Sequence, residues 1–347
     1  MRVAIDARKI ADYGIGTYIR GLLGGLSELE PVEKEHYIVL APSSARELVP
    51  RRFEHVVVEA PHYSFRELLV VSRAIDRARA DLFHAPHYVV PFTRCPTVVT
   101  VHDLIHLHQR MRHRLAPIYA RIMIGRAVRN SVRVFTVSEA VKRQIIDELH
   151  CDDAKVVVTP NGVDSIFRAS EPSRSPARYF LYVGNDKPHK NVDALVDAYA
   201  IVRASAPDTS LVLAGARFAQ FASREGVITP GFVTARELSS LYRNALAVVL
   251  PSIEEGFGLA ALEAMASGAA VITSKAEALV ELTGEAALHV DAHWPEEVAA
   301  AMLQIIDDDG IHVRLASRGI ERARAFTWDA CAHETRRVYR EALASSR

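Results

Sequence analysis

Short apolar runs rich in β-branched residues alternate with helical patterns along almost the whole of this 347-residue chain. The runs are RVAID, YIVLA, HVVVE, LFHAP, TVVTVHD, VRVFTVS and KVVVTPN in the first half, and YFLYVGN, SLVLAG, AVVLPS, AAVITS and ALHVD in the second. Short strands that alternate with helices predict parallel sheets covered by helices on both faces. The sequence therefore predicts an α/β protein whose ligands bind at the carboxyl ends of the strands.

The chain is too long for one ordinary hydrophobic core, which predicts two domains. A polar segment, RASEPSRSPAR, separates VVVTPNGVDSIF from a new apolar strand and indicates a linker near residues 166–177. We expect two doubly wound domains facing a central cleft, the first at 1–168 and the second at 169–325. The pattern over 326–347 predicts a last helix, which either caps its own domain or crosses back to the first.

Charge and cysteine content narrow the class of protein. The 42 basic and 42 acidic residues give no overall attraction to nucleic acid. Three scattered cysteines form neither a disulfide framework nor a paired metal-ligand spacing, as expected in a reducing cytosol. The amino terminus is typical of a buried strand rather than a signal peptide, and no apolar run approaches the roughly 18 residues of a membrane span. We expect a cytoplasmic protein, peripheral at the inner face of a membrane at most.

The segment PSIEEGFGLAALEAMASG predicts an anion site. It follows a short apolar strand, and its glycines permit a sharp turn with accessible N–H groups before a helix begins. The free N–H groups and the helix dipole both favour a phosphate there. Glu255 lies in the turn and Glu263 inside the helix, so the two would face different parts of one ligand. The structural alternative is that Glu255 caps the helix and Glu263 faces solvent.

This segment resembles the signature of retaining nucleotide-sugar glycosyltransferases of the two-Rossmann-domain (GT-B) type, specifically family four, in which two glutamates flank GFGL. The resemblance implies that Glu255 contacts the donor sugar and that Glu263 holds the ribose hydroxyls. It also implies that the backbone around Gly256, Phe257, Gly258 and Leu259 meets the sugar and the diphosphate.

Two segments of the first domain also resemble the family. In YGIGTYIRGLL, Gly14 and Gly16 would let the backbone approach the donor diphosphate, although a plain strand-to-helix turn needs similar glycines. TVVTVHDLIHL ends a strand with His102, which the resemblance places against the donor hexose. The alternative is a histidine that only satisfies hydrogen bonds at a strand end.

Two segments of the second domain complete the resemblance. YVGNDKPHKN is similar to a segment in which an arginine and a lysine neutralise the diphosphate. Lys190 matches the lysine, but Asn185 stands at the arginine position, so either Lys187 or His189 supplies the charge or the site is less cationic. ITPGFVTARELSSLYRNA resembles the segment whose backbone near Phe232 and Val233 holds the nucleotide base.

The resemblance implies retaining transfer of a hexose from a nucleoside diphosphate sugar, with no metal, cofactor or enzymatic nucleophile. It is greatest to bacterial mannosyl- and rhamnosyltransferases of polysaccharide assembly. This favours GDP-mannose as donor and a saccharide or polyprenyl-diphosphate-linked saccharide as acceptor, while a UDP-glucose-type donor on a small acceptor remains an alternative. Residues expected to take part in catalysis are Glu255, His102 and Lys190. The acidic run in IIDDDGI is interpreted as a helix end with glycine rather than a metal site.

The segment between Leu104 and Ser138 contains seven arginines and no acidic residue. The arginines are Arg110, Arg112, Arg114, Arg121, Arg126, Arg129 and Arg133. A basic amphipathic helix of this kind can lie on anionic lipid. A solvated helix paired with acids elsewhere in the fold is the alternative, and the sequence leaves both open.

Two other classes of protein fit the sequence less well. A nicotinamide-linked oxidoreductase would need a complete GxGxxG turn, which GIG in YGIGTY does not supply. A catalytically silent nucleotide-sugar-binding homologue would keep the fold and lose site residues, whereas the residues implied by the resemblance are present.

Overall fold

A computed structural model describes residues 1–60, 65–108, 116–169, 171–172 and 177–345. The chain forms two compact units, one of Met1–Gly162 with Thr327–Arg347 and the other of Val163–Phe326. Each unit contains one parallel sheet with helices packed on it, which confirms the predicted α/β class. In the described part of the chain, no helix is both long and apolar enough to cross a bilayer.

The first unit is built on a seven-stranded sheet in the order β3-β2-β1-β4-β5-β6-β7, with every neighbouring pair parallel. Its strands are β1 (Arg2–Asp6), β2 (His36–Ala41), β3 (Glu54–Val57), β4 (Leu82–Ala85), β5 (Thr97–Val101), β6 (Arg133–Thr136) and β7 (Val156–Val158). Its helices are α1 (Ile15–Glu28), α2 (Phe65–Arg77), α3 (Ile105–His108), α4 (Ala116–Asn130), α5 (Glu139–Leu149) and the last helix of the chain, Trp328–Ala344.

Strand periodicity divides the core of this unit into two layers. Along β1, Val3 and Ile5 pack into the cluster that contains α1 and the last helix, whereas Ala4 packs into the cluster on the opposite face. Side chains on a strand alternate between the two faces of the sheet, so both faces of this central strand are buried.

The last helix packs on α1. A Cβ atom at Gly21 would lie only 2.1 Å from the Trp328 ring, so the glycine makes room for the indole. The hydroxyl of Tyr339 lies 2.6 Å from Nδ1 of His84, and Nε2 of that histidine lies 2.8 Å from the Thr100 hydroxyl. The helix belongs to the first unit.

The second unit is built on a six-stranded parallel sheet in the order β10-β9-β8-β11-β12-β13. Its strands are β8 (Tyr179–Asn185), β9 (Ser210–Ala216), β10 (Val227–Gly231), β11 (Ala247–Leu250), β12 (Val271–Ser274) and β13 (Ala287–Val290). Its helices are α6 (Val192–Ser205), α7 (Ala235–Asn244), α8 (Leu259–Ala266), α9 (Glu277–Thr283), α10 (Pro295–Asp307) and α11 (Asp309–Ala323), and the helix Trp328–Ala344 is α12.

The first unit ends at Gly162, whereas the expected domain boundary lay after residue 168. The intervening residues contact the second unit: the N–H of Val163 donates to the carbonyl of Phe326 at 3.3 Å, and Ser239 donates to the carbonyl of Ile166 at 2.8 Å. Phe167 packs edge-on against the ring of Tyr242. The start of the expected linker is therefore a short 3₁₀ helix, Ser165–Phe167, seated on α7.

Candidate active site

The strand order of the second unit indicates where to expect a ligand site. From β8 the chain proceeds through β9 to β10 at one edge, and then returns to place β11 on the other side of β8. In open α/β sheets, ligands bind at such a switch point, beyond the carboxyl ends of the two strands. The loop after β8 contains Lys190, and the loop after β11 contains Glu255.

Lys190 and Glu255 form an ion pair at this switch point. The Lys190 ammonium lies 2.5 Å from Oε1 of Glu255, and both side chains are partly exposed. The hydroxyl of Ser252 donates to the same carboxylate oxygen at 3.1 Å, and the hydroxyl of Ser274 donates to the carbonyl of Ser252. The carboxylate is thus held in one orientation beside a cation, with access to solvent.

A backbone hydrogen bond joins the two loops. The N–H of Ile253 donates to the carbonyl of His189 at 2.7 Å. After Lys190, Asn191 adopts a left-handed conformation, and its side-chain amide donates to the carbonyl of Ala292 at 2.6 Å. These contacts fix the two loops that bring Lys190 to Glu255, 65 positions further along the sequence.

The turn before α8 requires a glycine at Gly258. Its φ of 99° is rarely adopted by other residues, and a Cβ there would lie 2.5 Å from a methyl carbon of Leu279. Gly258 is the N-cap residue and provides no side-chain cap, so the first N–H groups of α8 are free of side-chain caps. Phe257 is buried against Phe326, which leaves its backbone rather than its ring for a ligand. An uncapped helix start beside a lysine favours an anion.

Glu263 lies on α8 and is half-buried. Its Oε2 accepts a hydrogen bond from the hydroxyl of Tyr242 at 2.9 Å. Burial raises the pKa of Glu263 to about 7, the hydrogen bond from Tyr242 opposes that rise, and the charge of Asp164 adds to it. The alternative in which Glu263 simply faces solvent is therefore wrong.

The position of the expected arginine is occupied by a residue that shapes the loop. Asn185 is the last residue of β8, and its side-chain oxygen accepts a hydrogen bond from the N–H of Lys187 at 3.2 Å. Lys187 itself is exposed at the start of the 3₁₀ helix Pro188–Lys190. Asparagine therefore contributes a local turn here rather than a charge.

Phe232 and Val233 follow β10 and lie at the carboxyl ends of the strands, as do the loops after β8 and β11. Strand β9 lies between β10 and β8. The Phe232 ring is exposed and Val233 is half-buried. Thr234 then caps α7 through a reciprocal pair of hydrogen bonds with Glu237. The capping box fixes where this loop ends and α7 begins.

The remaining candidates lie in the first unit. Gly14 caps α1 with a φ of 68° and has open space where a Cβ would be, whereas a Cβ on Gly16 would lie 2.7 Å from the carbonyl oxygen of Ile10. Gly16 therefore has a packing reason for lacking a side chain. Nε2 of His102 lies 3.0 Å from the carbonyl oxygen of Pro86, which requires Nε2 to carry the proton and leaves Nδ1 as an acceptor. Burial lowers the pKa of His102, which favours this neutral form.

The sequence reasoning missed a buried ionic cluster in the first unit. Arg8 donates to Asp6 at 2.6 Å and lies 2.8 Å from a carboxylate oxygen of Glu67, and all three side chains are buried. Burial alone would raise the pKa of Asp6, but Arg8 and His87 outweigh burial and hold it below its usual range. The signal in the sequence was RVAIDARK, in which charged residues directly follow a short apolar run.

A helix does end in IIDDDGI, as predicted, since α10 ends at Asp307, but the glycine does not terminate it. Asp308 is the N-cap residue of α11, and its carboxylate accepts hydrogen bonds from the N–H groups of Gly310 and Ile311. The glycine lies in the first turn of the next helix. Throughout the described ranges, no group of three or more His, Cys, Asp or Glu residues is arranged to hold a metal ion.

Comparison with known proteins identifies the family. The model described as "Glycosyltransferase Family 4" matches residues 14–166, and "Glycosyl transferases group 1" matches residues 163–325. The chain is 28% identical to O-antigen chain mannosyltransferase B of Escherichia coli, over 75% of this chain and 74% of that protein. It is 32% identical to D-inositol 3-phosphate glycosyltransferase of Kineococcus radiotolerans, over 66% of this chain and 62% of the relative.

A solved structure has the same fold over the full length. Sucrose-phosphate synthase from Thermosynechococcus elongatus matches 99% of this chain and 100% of its own, with a TM-score of 0.81 and 19% identity. The two family models follow one another over residues 14–325, at the segments where the resemblance was found. The chain belongs to the family-four glycosyltransferases and has the GT-B type of fold.

Proposed function

We propose that this glycosyltransferase moves a hexose, with mannose favoured, from a nucleoside diphosphate sugar to a saccharide or lipid-linked saccharide, with retention of configuration. The Escherichia coli relative named as an O-antigen chain mannosyltransferase supports the choice of mannose. It also supports an acceptor from bacterial polysaccharide assembly. GDP-mannose is the favoured donor, and a UDP-glucose-type donor is the alternative.

The observation that carries this proposal is the Lys190–Glu255 ion pair next to the uncapped start of α8, at the switch point of the sheet. Departure of a nucleoside diphosphate places growing negative charge on its phosphates. An ammonium and free helix N–H groups stabilise that charge more in the transition state than in the ground state. Glu255 supplies an acceptor for hydroxyl groups of the sugar.

In the proposed mechanism, the acceptor hydroxyl attacks the face of the sugar from which the diphosphate leaves, and a phosphate oxygen takes its proton. Such a step needs no protein nucleophile and no resident metal or cofactor. The positive charge comes from Lys190, with Lys187 close to it in the sequence. Glu263 is assigned to the ribose, and His102, Gly14, Phe232 and Val233 keep the roles that the family resemblance implies.

Binding of nucleotides is the first test. We expect thermal stabilisation of the purified protein by one nucleoside diphosphate among GDP, UDP, dTDP and ADP, measured with a chelator present and with NAD as comparison. A ligand at a hundred times its dissociation constant stabilises by about 2.7 kcal/mol. A shift with NAD alone would contradict the proposal.

Transfer of the sugar is the second test, and the chain offers a matched control. Lys190→Ala should abolish most turnover of the stabilising donor, since it removes the cation at the diphosphate. Lys142 is also ion-paired, to Asp153 at 2.8 Å, and its side chain is 20% exposed against 21% for Lys190. Lys142→Ala should keep wild-type turnover. Equal rates in both variants would refute the assignment, and binding without turnover in the wild type would favour a silent homologue.

An anionic membrane surface is the partner that we propose for α4. Ile118 and Ile122 are 55% and 59% exposed on this helix, beside exposed Arg121 and Arg129. Within the described ranges, no acidic side chain forms a salt bridge with any of the four arginines Arg121, Arg126, Arg129 and Arg133. Arg110, Arg112 and Arg114 lie outside the described residues. Exposed isoleucines beside arginines that form no salt bridge are suited to anionic lipid, to which each cation near the surface adds about 1 kcal/mol.

Vesicle sedimentation tests this partner. The protein should sediment with vesicles containing phosphatidylglycerol and remain in solution with pure phosphatidylcholine. Ile118→Asp with Ile122→Asp should release it. Val313→Asp, at a 49% exposed position of α11, is the control that should still sediment. Equal partition of both variants with anionic vesicles would contradict the assignment of this surface to α4.

A further inference from the structure

Tyr242 connects α7 to the candidate ribose-binding residue on α8. Its side chain is completely buried, and its ring packs edge-on against Phe167 with 5.8 Å between the ring centroids. Its hydroxyl donates to Oε2 of Glu263 at 2.9 Å. A buried phenol therefore lies directly behind a carboxylate that remains partly exposed.

This hydrogen bond distinguishes the two oxygens of Glu263. Oε2 is committed to Tyr242, whereas no side chain within the described ranges donates to Oε1. A glutamate side chain has several rotatable bonds, and holding one conformation costs entropy that a fixed partner reduces. A carboxylate held by one oxygen presents the other in a defined direction.

We propose that Tyr242 is a positioning residue that orients Glu263 so that its free oxygen accepts a hydrogen bond from the ribose 2′-hydroxyl, which restricts the donor to ribonucleoside diphosphate sugars. The inference rests on the proposed function, because it takes the assignment of Glu263 to the ribose from there. The inference adds to the proposed function the residue that orients the carboxylate and the class of donor that this orientation selects.

A nucleotide without the 2′-hydroxyl binds more weakly because its hydrogen bond to the protein cannot form. A site built to bond a substrate hydroxyl rejects the analogue that lacks it, because the protein group is left desolvated and unpaired. For a charged acceptor, the loss corresponds to roughly tenfold to a hundredfold in affinity. A 2′-deoxyribonucleotide such as dTDP would incur this loss, whereas GDP, UDP and ADP would not.

A purely structural role for Tyr242 is the competing explanation, and the same unit contains a matched comparison. Tyr199 is also buried, and its hydroxyl donates to the carbonyl of Thr209 at 2.8 Å. Tyr199→Phe removes a buried tyrosine hydrogen bond of nearly the same length and leaves the contacts of Glu263 unchanged. Any general effect of such a loss on packing appears in both variants, whereas an effect on ribose recognition appears only in Tyr242→Phe.

The experiment measures binding of GDP and of UDP, each beside its 2′-deoxy analogue, by calorimetric titration at pH 8. Wild type and Tyr199→Phe should prefer the ribonucleotide by about tenfold or more. Tyr242→Phe should lose most of this preference while still binding the diphosphate. Glu263→Asp withdraws the carboxylate from the hydroxyl of Tyr242 and leaves α7 unchanged, so it should lose the preference as well.

A pH series adds a readout that packing alone does not affect. Ribose recognition needs ionised Glu263, whose pKa the Tyr242 hydrogen bond lowers against the effect of burial. Within the described ranges, the other charged group acting on this carboxyl is Asp164, which precedes the 3₁₀ helix Ser165–Phe167. In Tyr242→Phe, the midpoint of the remaining ribose preference should move to higher pH, and in Tyr199→Phe it should stay in place.

The outcomes separate the two proposals. Tyr242→Phe with an unchanged ribose preference and midpoint overturns the role of Tyr242, as does full preference in Glu263→Asp. A wild-type protein that binds GDP or UDP no better than the deoxy analogue overturns this inference and leaves sugar transfer standing. A wild-type protein that binds no nucleoside diphosphate overturns the proposed function itself.

Discussion

Replacing Glu263 by glutamine should stabilise the protein, and by more at high pH. Burial raises the pKa of Glu263 from its ordinary value of 4.5 to about 7. The folded protein therefore holds this proton more tightly than the unfolded chain does. Glu263 contributes its full stability below pH 4.5, and that contribution is lost as the pH rises through 7. Above pH 7, the fold carries the cost of a half-buried carboxylate.

The size of the effect follows from the two pKa values. Each unit of pKa difference corresponds to about 1.4 kcal/mol, so the raised pKa of Glu263 lowers stability by about 3 kcal/mol at pH 8 and by about 1 kcal/mol at pH 5. Glu263→Gln removes the ionisation and keeps an oxygen that accepts the hydrogen bond from Tyr242. The stability gap between variant and wild type should therefore widen by about 2–3 kcal/mol from pH 5 to pH 8.

Urea denaturation at several pH values, followed by tryptophan fluorescence and circular dichroism, measures this gap. Glu296→Gln is the control, because Glu296 is exposed on α10 of the same unit. This variant measures the general effect of replacing an exposed glutamate by glutamine in the same unit. A gap for Glu263→Gln that does not change with pH would refute the reasoning, and one that narrows at high pH would reverse its sign. A binding site that costs stability in this way is common, since ligand contacts are selected over stability.

Three further predictions concern packing and are tested by urea denaturation. Gly215→Ala should cost more than about 2 kcal/mol of stability, because its Cβ would lie 1.9 Å from a carbonyl oxygen of β8. Gly231→Ala should cost only about 1–2 kcal/mol, because Gly231 has a positive φ but open space around it. Equal costs would contradict the steric argument. Thr234→Ala should cost about 1 kcal/mol through loss of the α7 capping box, and Thr234→Ser should recover most of it; no loss in the alanine variant would show that the cap is dispensable. Tyr339→Phe should lower the free energy of unfolding by about 1–3 kcal/mol, because it removes the hydroxyl that bonds the buried His84 of β4. An unchanged denaturation midpoint would refute that role.

Most of the strands could be predicted from the sequence because each is a local apolar run between turn residues. The strand that was missed, β10, is an edge strand whose sequence lacks a continuous apolar run. Its sequence VITPG contains proline and glycine, and only one neighbour, β9, pairs with it. An edge strand does not require apolar residues on both faces and tolerates a proline, which is why VITPG can pair as a strand without the usual signal.

Within the candidate site, the residues that the sequence indicated belong to local motifs. Gly258 and the glutamates at 255 and 263 occur in one strand–turn–helix segment, where spacing alone predicts an anion site. Tyr242 and Ser252 were missed because neither belongs to a recognisable spacing. Their importance lies in the carboxylate that each one contacts.

The sequence by itself determined the alternation of strands and helices, the position of the glycine turn and the family, because these depend on neighbours along the chain. Only the tertiary structure decided which distant groups meet. The order of the strands brings Lys190 to Glu255, and the packing of α12 on the first sheet brings Tyr339 to His84 across 255 positions. The physical reason is that a parallel sheet collects the ends of strands that are far apart in sequence, and no local pattern records which ends become neighbours.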